Sequence, residues 1–232
     1  NFIWEMVVNR ARQQSYLTKG VTIKIFDERD SRKAMFYFEG GIKSYVQHLN
    51  RDKEKIGDVI YIYQEVPEGI IEVSLQYTAT FQENVFTFAN NIHTPEGGMH
   101  LTGFRSALTR VLNNYARANE FIKEKDANFS AEDVREGLTS IISVKLANPQ
   151  FEGQTKSKLG NAEMRTAVET VFGEMFEQYL NENPNDARAV LSKCSLAQRA
   201  RMAARAARDT VIRKGALEGM TLPGKLADCQ SK

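Results

Sequence analysis

The 232-residue chain contains little cysteine, histidine or proline, with two, three and five of these residues respectively. Cys194 and Cys229 are too few for a disulfide framework, and the histidines at positions 48, 93 and 100 are scattered. None of these residues has the spacing of metal ligands. We therefore expect reduced thiols, as in a cytosolic protein, and no metal site.

Long apolar runs are also missing. No run approaches the ~20 residues that a membrane helix needs. The first residues, NFIWEMVVNRARQQ, lack the basic start and continuous apolar core of a signal peptide. Hydrophobic content of 42% and charged content of 26% are ordinary for a soluble globular protein. We expect a cytoplasmic protein without membrane contact, and a chain that enters in the middle of a domain as part of a longer protein.

The common motifs of self-contained enzymes are not found. No two of the fifteen glycines stand in GxG spacing, and there is no GxxxxGK[ST] phosphate loop. HExxH and GxSxG are missing as well. The sequence therefore predicts that no complete catalytic site lies on this chain, and a small-molecule kinase is disfavoured.

Hydrophobic periodicity predicts an α+β or mixed α/β fold, with strands followed by helices. Short connections between the three central strands predict an antiparallel meander. We place a domain boundary near residue 52. The predicted helices are 3–18, 42–53 (helix or linker), a helix from about 101, 131–138, 161–182 and 187–213 ending at Gly215, and the predicted strands are 21–28, 33–40, 58–66, 70–78, 84–91 and 138–146.

A polar loop follows the strand of β-branched residues at 138–146. In NPQFEGQTKSKLG, residues 148–160, an amide, a hydroxyl and two ammonium groups come close together, at Gln154, Thr155, Lys156 and Lys158. A lysine offers three donors to phosphate oxygens, and a glutamine amide adds directional donors. On residue types alone, a polar loop without a ligand is the favoured interpretation.

A basic segment near the C-terminus gives the chain a marked charge asymmetry. The net charge is +2, but residues 188–214 carry eight basic residues and one acid, which leaves −5 for the rest. Arg201, Arg205 and Arg208 are spaced i, i+4, i+7 and so share one helical face. Two interpretations stay open, a solvated surface and a contact with phosphate groups.

Four stretches resemble the transducer domain of the DNA gyrase B family, the ATPase components of bacterial type IIA topoisomerases, with the corresponding component of topoisomerase IV as the close relative. They are FEGQTKSKL, NNIHTPEGGMHLTGFRSALTRVLN, REGLTSIISVKL and RKGALEGMTLPGKLADCQ. The resemblance covers essentially the whole chain. It implies a left-handed βαβ fold shared with a ribosomal protein domain. It also implies an end of a GHKL-type ATPase domain at 1–52, a transducer domain at 53–215, and a connector towards a metal-binding (toprim) domain at 216–232.

The resemblance also implies a role. In this family the QTK loop reaches the γ-phosphate of ATP, which assigns Gln154 and Lys156 to nucleotide binding. The match at GFR assigns Arg105 to DNA, whereas Arg201, Arg205 and Arg208 are our own inference from charge. Such a region couples ATP binding and hydrolysis to DNA strand passage and negative supercoiling.

The expected cofactors and partners follow from the same resemblance. They are ATP and Mg²⁺ in the full-length protein, DNA held without sequence preference, the gyrase A protein, and a second copy of gyrase B in an A2B2 heterotetramer. The chain alone is expected to be inactive, because the Mg-ATP motif and the toprim residues are missing from it. Two alternatives remain, namely the equivalent region of a topoisomerase IV, which decatenates DNA, and a stand-alone nucleic-acid-binding module.

Overall fold

The computed structural model describes residues 2–123 and 125–219, with the backbone alone for 213–219. Its five longer helices and nine strands agree with most of the predicted elements. In chain order they are α1 (Trp4–Leu17), β1 (Ile23–Asp27), β2 (Arg32–Phe36), α2 (Ile42–Leu49), β3 (Lys55–Val66), β4 (Gly69–Thr78), β5 (Asn84–Ala89), β6 (Ile92–His93), α3 (Met99–Ala118), β7 (Leu138–Lys145), β8 (Phe151–Glu152), β9 (Lys158–Leu159), α4 (Glu163–Glu182) and α5 (Pro184–Gly219).

The central sheet has the order β3-β4-β7-β5-β6, so the predicted antiparallel meander is wrong. β4 pairs with β3 and β7 antiparallel, whereas β5 pairs with β7 in parallel. The chain leaves β5, forms α3, and returns as β7 between β4 and β5. Seven of the eight residues of β7 are buried, which is typical of a central strand that is covered on both faces. Short connections could not reveal this insertion.

Helices and the N-terminal segment cover opposite faces of the sheet. Alternate residues of β4, namely Ile71, Val73, Leu75 and Tyr77, are buried in the main core. α3 and α4 contribute to that core, and the rings of Phe104 and Phe172 lie 4.7 Å apart. A second cluster covers the other face, and its buried members are Leu17, Ile42, Val46, Phe88 and Ile141. The observed architecture is therefore an α+β fold with a sheet packed by helices, as predicted.

Two predicted helices differ from the structure. Residues 131–137 form turns instead of a helix, and Gly137, with a left-handed φ of 75°, ends them just before β7 begins. The capping contacts predicted there still form, since Ser130 and Asp133 donate their backbone N–H groups to each other's side chains over 2.8 and 3.3 Å. The basic helix begins earlier, at Pro184, and continues through Gly215 to Gly219. Proline is favoured at a first helical position because its missing N–H would have no partner there.

The C-terminal predictions lie partly outside the described residues, namely Cys229 and most of the connector at 216–232. Cys194 is a buried free thiol, and burial raises its pKa to about 12. Across residues 2–123 and 125–219, no helix is both long enough and apolar enough to cross a membrane.

Candidate functional site

The polar loop after β7 is a small hairpin. β8 and β9 pair antiparallel, with Phe151 opposite Leu159 and Glu152 opposite Lys158. Residues 153–156 form the turn at the tip, and the backbone N–H of Lys156 donates to the Gly153 carbonyl over 3.4 Å. The whole tip is solvent-exposed. We call residues 151–159 the QTK hairpin.

The two lysines of the QTK hairpin differ in their surroundings. Lys158 Nζ lies 3.1 Å from a carboxylate oxygen of Glu152. Lys156 has a left-handed φ of 54°, and its Nζ lies 5.7 Å from the centre of the Phe151 ring. Among the described residues, no carboxylate oxygen lies within the 4.0 Å of an ion pair from Lys156 Nζ. Lys156 therefore presents an ammonium group to solvent that no acid of the described residues pairs with.

The base of the QTK hairpin is joined to the turn that precedes α3. Glu96 donates its N–H to the Ser157 carbonyl, and Leu159 donates its N–H to the Gly97 carbonyl, each over 3.0 Å. Gly98 pairs with Leu159 as an isolated bridge. A Cβ at Gly98 would overlap the Leu159 backbone, and its φ of 137° is strained for any other residue. Glycine is thus required where the hairpin meets the first residues of α3.

Arg105 lies in the second turn of α3, and its guanidinium contacts an acid from a neighbouring loop. Its Nη2 donates to Glu83 Oε1 over 2.8 Å. The second oxygen of Glu83 lies 3.7 Å from Nη1 of Arg135. The side chains remain partly accessible, at 37% for Arg105, 27% for Glu83 and 23% for Arg135. Arg105 is therefore paired but within reach of a ligand from solvent.

The three arginines predicted to act together on α5 have different surroundings. Arg201 binds Asp133 through Nε and Nη2, over 2.8 and 2.9 Å. Burial opposes ionisation of Asp133, yet hydrogen bonds from Arg201 and Ser130 outweigh it and lower the pKa of this carboxyl group below its usual value. Arg205 and Arg208 are exposed, and neither forms an ion pair within the described part of the chain. The structure therefore separates one anchoring arginine from two accessible ones.

Sequence reasoning missed three contributors to these sites. Glu83 lies in an irregular segment and Arg135 in a short charged one, and no hydrophobic or charge period links either of them to Arg105. Their meeting with Arg105 depends on segments more than twenty residues apart. Phe151, which lies beside Lys156, entered the sequence analysis only as the first residue of FEGQTKSKL. Hydrophobic and charge patterns do not encode such contacts between loops.

Comparisons with known sequences identify one family. The family model for DNA gyrase B matches residues 41–210. The DNA gyrase B protein of Bacillus mycoides is 51% identical over 231 residues, which is 99% of this chain and 57% of that protein. The protein of the same name from Clostridium acetobutylicum is 49% identical, again over 99% of this chain but 36% of its own length. The chain thus spans between about a third and three fifths of these relatives.

Solved structures of a gyrase B domain and of a topoisomerase IV domain resemble this chain. The 43K ATPase domain of Thermus thermophilus gyrase B, solved with an aminocoumarin, has a TM-score of 0.81 and 36% identity. That match covers 90% of this chain and 57% of the other. The topoisomerase IV ATP-binding domain of Francisella tularensis, solved with a small-molecule inhibitor, has a TM-score of 0.74 and 27% identity, and the match covers 87% of this chain and 55% of that one.

Proposed function

The chain belongs to the DNA gyrase B family, and from that premise we propose that it is the transducer region of the ATPase component of a DNA gyrase. In this role it senses the γ-phosphate of ATP and couples ATP binding and hydrolysis to DNA strand passage and negative supercoiling. Residues 1–52 are the end of the ATPase domain, 53–215 the transducer domain, and 216–232 a connector.

One observation carries the proposal, namely the position of Lys156. Its ammonium group is exposed at the tip of the QTK hairpin, while the base of the hairpin is hydrogen-bonded to the turn before α3. A charge-assisted contact from Lys156, supported by the Gln154 amide, would exist only with a triphosphate bound. Such a contact contributes about 1.5–3 kcal/mol. That is enough to shift the balance between two domain arrangements.

The cofactors and partners follow from the same role. In the full-length protein, ATP and Mg²⁺ bind mainly to the ATPase domain, and Gln154 and Lys156 add contacts from the transducer side. DNA is held through its phosphates by Arg105 and by the exposed arginines of α5, and the protein works with gyrase A and with a second copy of gyrase B. The two curated relatives at 51% and 49% identity are both gyrase B proteins, which supports gyrase over topoisomerase IV.

The test is Lys156→Ala in the full-length protein that contains this sequence, assayed for ATP hydrolysis with gyrase A and DNA. Removing one charged contact to a transition state slows turnover by about 10²–10³-fold. Lys158→Ala is the matched control, because this lysine stands on the same hairpin but pairs with Glu152. We expect the control to keep near-normal turnover. Near-normal turnover by Lys156→Ala would refute the proposed contact.

A second assay separates gyrase from topoisomerase IV. The full-length protein is combined with its DNA-cleaving partner protein, ATP and relaxed plasmid. We expect ATP-dependent negative supercoiling. Decatenation without supercoiling would assign the chain to topoisomerase IV instead, and ATP hydrolysis by the 232-residue chain alone would contradict the assignment of the ATP site to the ATPase domain.

A further inference from the structure

Two arginines from distant parts of the chain contact one carboxylate. Arg105 of α3 and Arg135 of the turns before β7 contact opposite oxygens of Glu83, at 2.8 and 3.7 Å. Arg135 is held in place by its own Nε, which donates to the Ala131 carbonyl over 2.7 Å. The group has a net charge of +1 and remains partly open to solvent.

This arrangement has the chemistry of an anion site with an internal ligand. Guanidinium groups bind carboxylates and phosphates in the same way, through paired N–H donors that meet two oxygens. Arg105 Nε is buried and has no hydrogen-bond partner among the described residues, so this guanidinium group meets Glu83 through Nη2. We propose that Arg105 and Arg135 together bind a phosphate of the DNA backbone, and that Glu83 occupies this site when DNA is absent. The inference rests on the proposed function, and it adds Arg135 as a ligand and Glu83 as a competitor.

The neighbouring ion pairs do not have this property. Asp133, which binds Arg201, has a side chain only 1% exposed, and Lys193, which binds Glu136, is 4% exposed. An incoming phosphate could neither take the place of Asp133 nor reach the ammonium group of Lys193 without opening the core. By contrast, the side chains of Glu83, Arg105 and Arg135 are between 23% and 37% exposed.

The exchange is also energetically accessible. Exposed ion pairs change an equilibrium by only about 1.4- to 5-fold each. DNA supplies phosphates at high local density, and each neutralised phosphate releases condensed counterions. DNA can therefore displace Glu83 from the two arginines. Because the contacts are made to phosphates, the site would not distinguish base sequences.

The test measures binding of fluorescent duplex DNA by the full-length protein at a series of KCl concentrations. Glu83→Gln removes the competitor and should tighten binding by about 2- to 10-fold at low salt. Arg135→Gln should reduce the steepness of log K against log salt by about 0.9. In the double variant that combines Glu83→Gln with Arg135→Gln, the gain from Glu83→Gln should shrink but not vanish, because Glu83 otherwise still competes for Arg105.

Glu169→Gln is the matched control. Its side chain is 29% exposed, and within the described residues it forms an ion pair with one arginine, Arg110, at 3.9 Å. Replacing it changes the net charge by the same amount as Glu83→Gln. We expect it to change binding less than Glu83→Gln does. Melting temperatures of all variants check folding, and if Glu83→Gln does not fold, the salt dependence of Arg135→Gln decides.

The outcomes separate this inference from the proposed function. An equal gain in Glu83→Gln and Glu169→Gln, or an unchanged slope in Arg135→Gln, overturns the inference. Arg105→Gln tests the proposed DNA contact itself. A lower slope in Arg105→Gln with no change in Arg135→Gln refutes the shared site alone, whereas no change in either variant refutes the DNA contact of Arg105 as well.

Discussion

The QTK hairpin and α5 are built in the same way, since each is attached at one end and reaches into solvent at the other. The hairpin is attached through Leu159, which is fully buried, and its tip is exposed. α5 is attached through its first turns, where Val190 and Cys194 are buried, and residues 202–212 are exposed. The two regions differ in secondary structure but present cations in the same pattern.

In each region, one basic side chain nearer the attached end is paired with an acid. Lys158 meets Glu152, and Arg201 meets Asp133. Towards the solvent end, at Lys156 and along 205–208, the described residues provide no such partner within 4.0 Å. Lys156, Arg205 and Arg208 therefore remain available for an external anion, as do Arg188 and Arg199 of α5, which are exposed and form no ion pair within the described part of the chain.

The largest effect is expected from breaking the attachment of the hairpin with Gly98→Ala. A side chain at this position is strained and would overlap the Leu159 backbone. We expect the free energy of unfolding of the 232-residue chain to fall by about 3 kcal/mol, measured by urea denaturation. Gly153→Ala, at the tip, meets nothing within 4 Å and has only the cost of its φ of 71°, about 1 kcal/mol. Equal losses in the two variants would show that the hairpin base is not a fixed contact.

The attachment of α5 should be weakened by Asp133→Asn. The carboxylate accepts hydrogen bonds from Arg201 and from the Ser130 backbone. The asparagine side chain has one carbonyl oxygen and no charge, so it cannot accept all of these hydrogen bonds or pair with Arg201. We expect a loss of about 1–2 kcal/mol in the free energy of unfolding. Asp126→Asn, in an exposed loop, should change it by less than about 0.5 kcal/mol. A similar small change at both positions would contradict the anchoring role.

The pH dependence of this anchor has a definite sign. The pKa of Asp133 is lowered in the folded chain, so its ionised form stabilises the fold at pH values above its unfolded pKa, about 3.9. That contribution is lost as the pH falls through the lower folded pKa. The difference in unfolding free energy between wild type and Asp133→Asn should therefore be constant from about pH 7 to 5 and shrink below about pH 4. A difference that persists undiminished at about pH 2 would refute this origin.

The smallest effect concerns the solvent end of α5. Three phosphate contacts would give a salt slope of about −2.7, but the pairing of Arg201 reduces our expectation for this helix to about −1.8. In DNA binding by the 232-residue chain, Arg205→Gln and Arg208→Gln should each reduce the steepness by about 0.9. Arg201→Gln should lower the melting temperature and leave the salt slope of DNA binding nearly unchanged. Equal slopes in all three variants would remove the distinction between paired and exposed arginines.

Local patterns predicted most of the elements but not their neighbours in space. The alternation in β4 and the helical spacing of α3 follow from residues close in sequence, and both elements form near their predicted bounds. The order of the sheet was missed because the insertion of β7 between β4 and β5 is decided by burial on both faces, which involves residues about sixty positions apart. The turns at 131–137 were missed because Gly137 ends the helical pattern at the entry to β7.

The sequence by itself determined the α+β fold, the family and the polar loop that carries Gln154 and Lys156, since strand and helix periods and contiguous motifs are local properties. Only the tertiary structure decided which cations are paired. The arginine spacing on α5 predicts a shared face, but Asp133, sixty-eight positions away, takes one of the three. Likewise Arg105 of α3 forms an ion pair with Glu83, which lies outside that helix. An ion pair forms where folding brings two charges within about 4 Å and lowers their exposure, and linear spacing does not contain that distance.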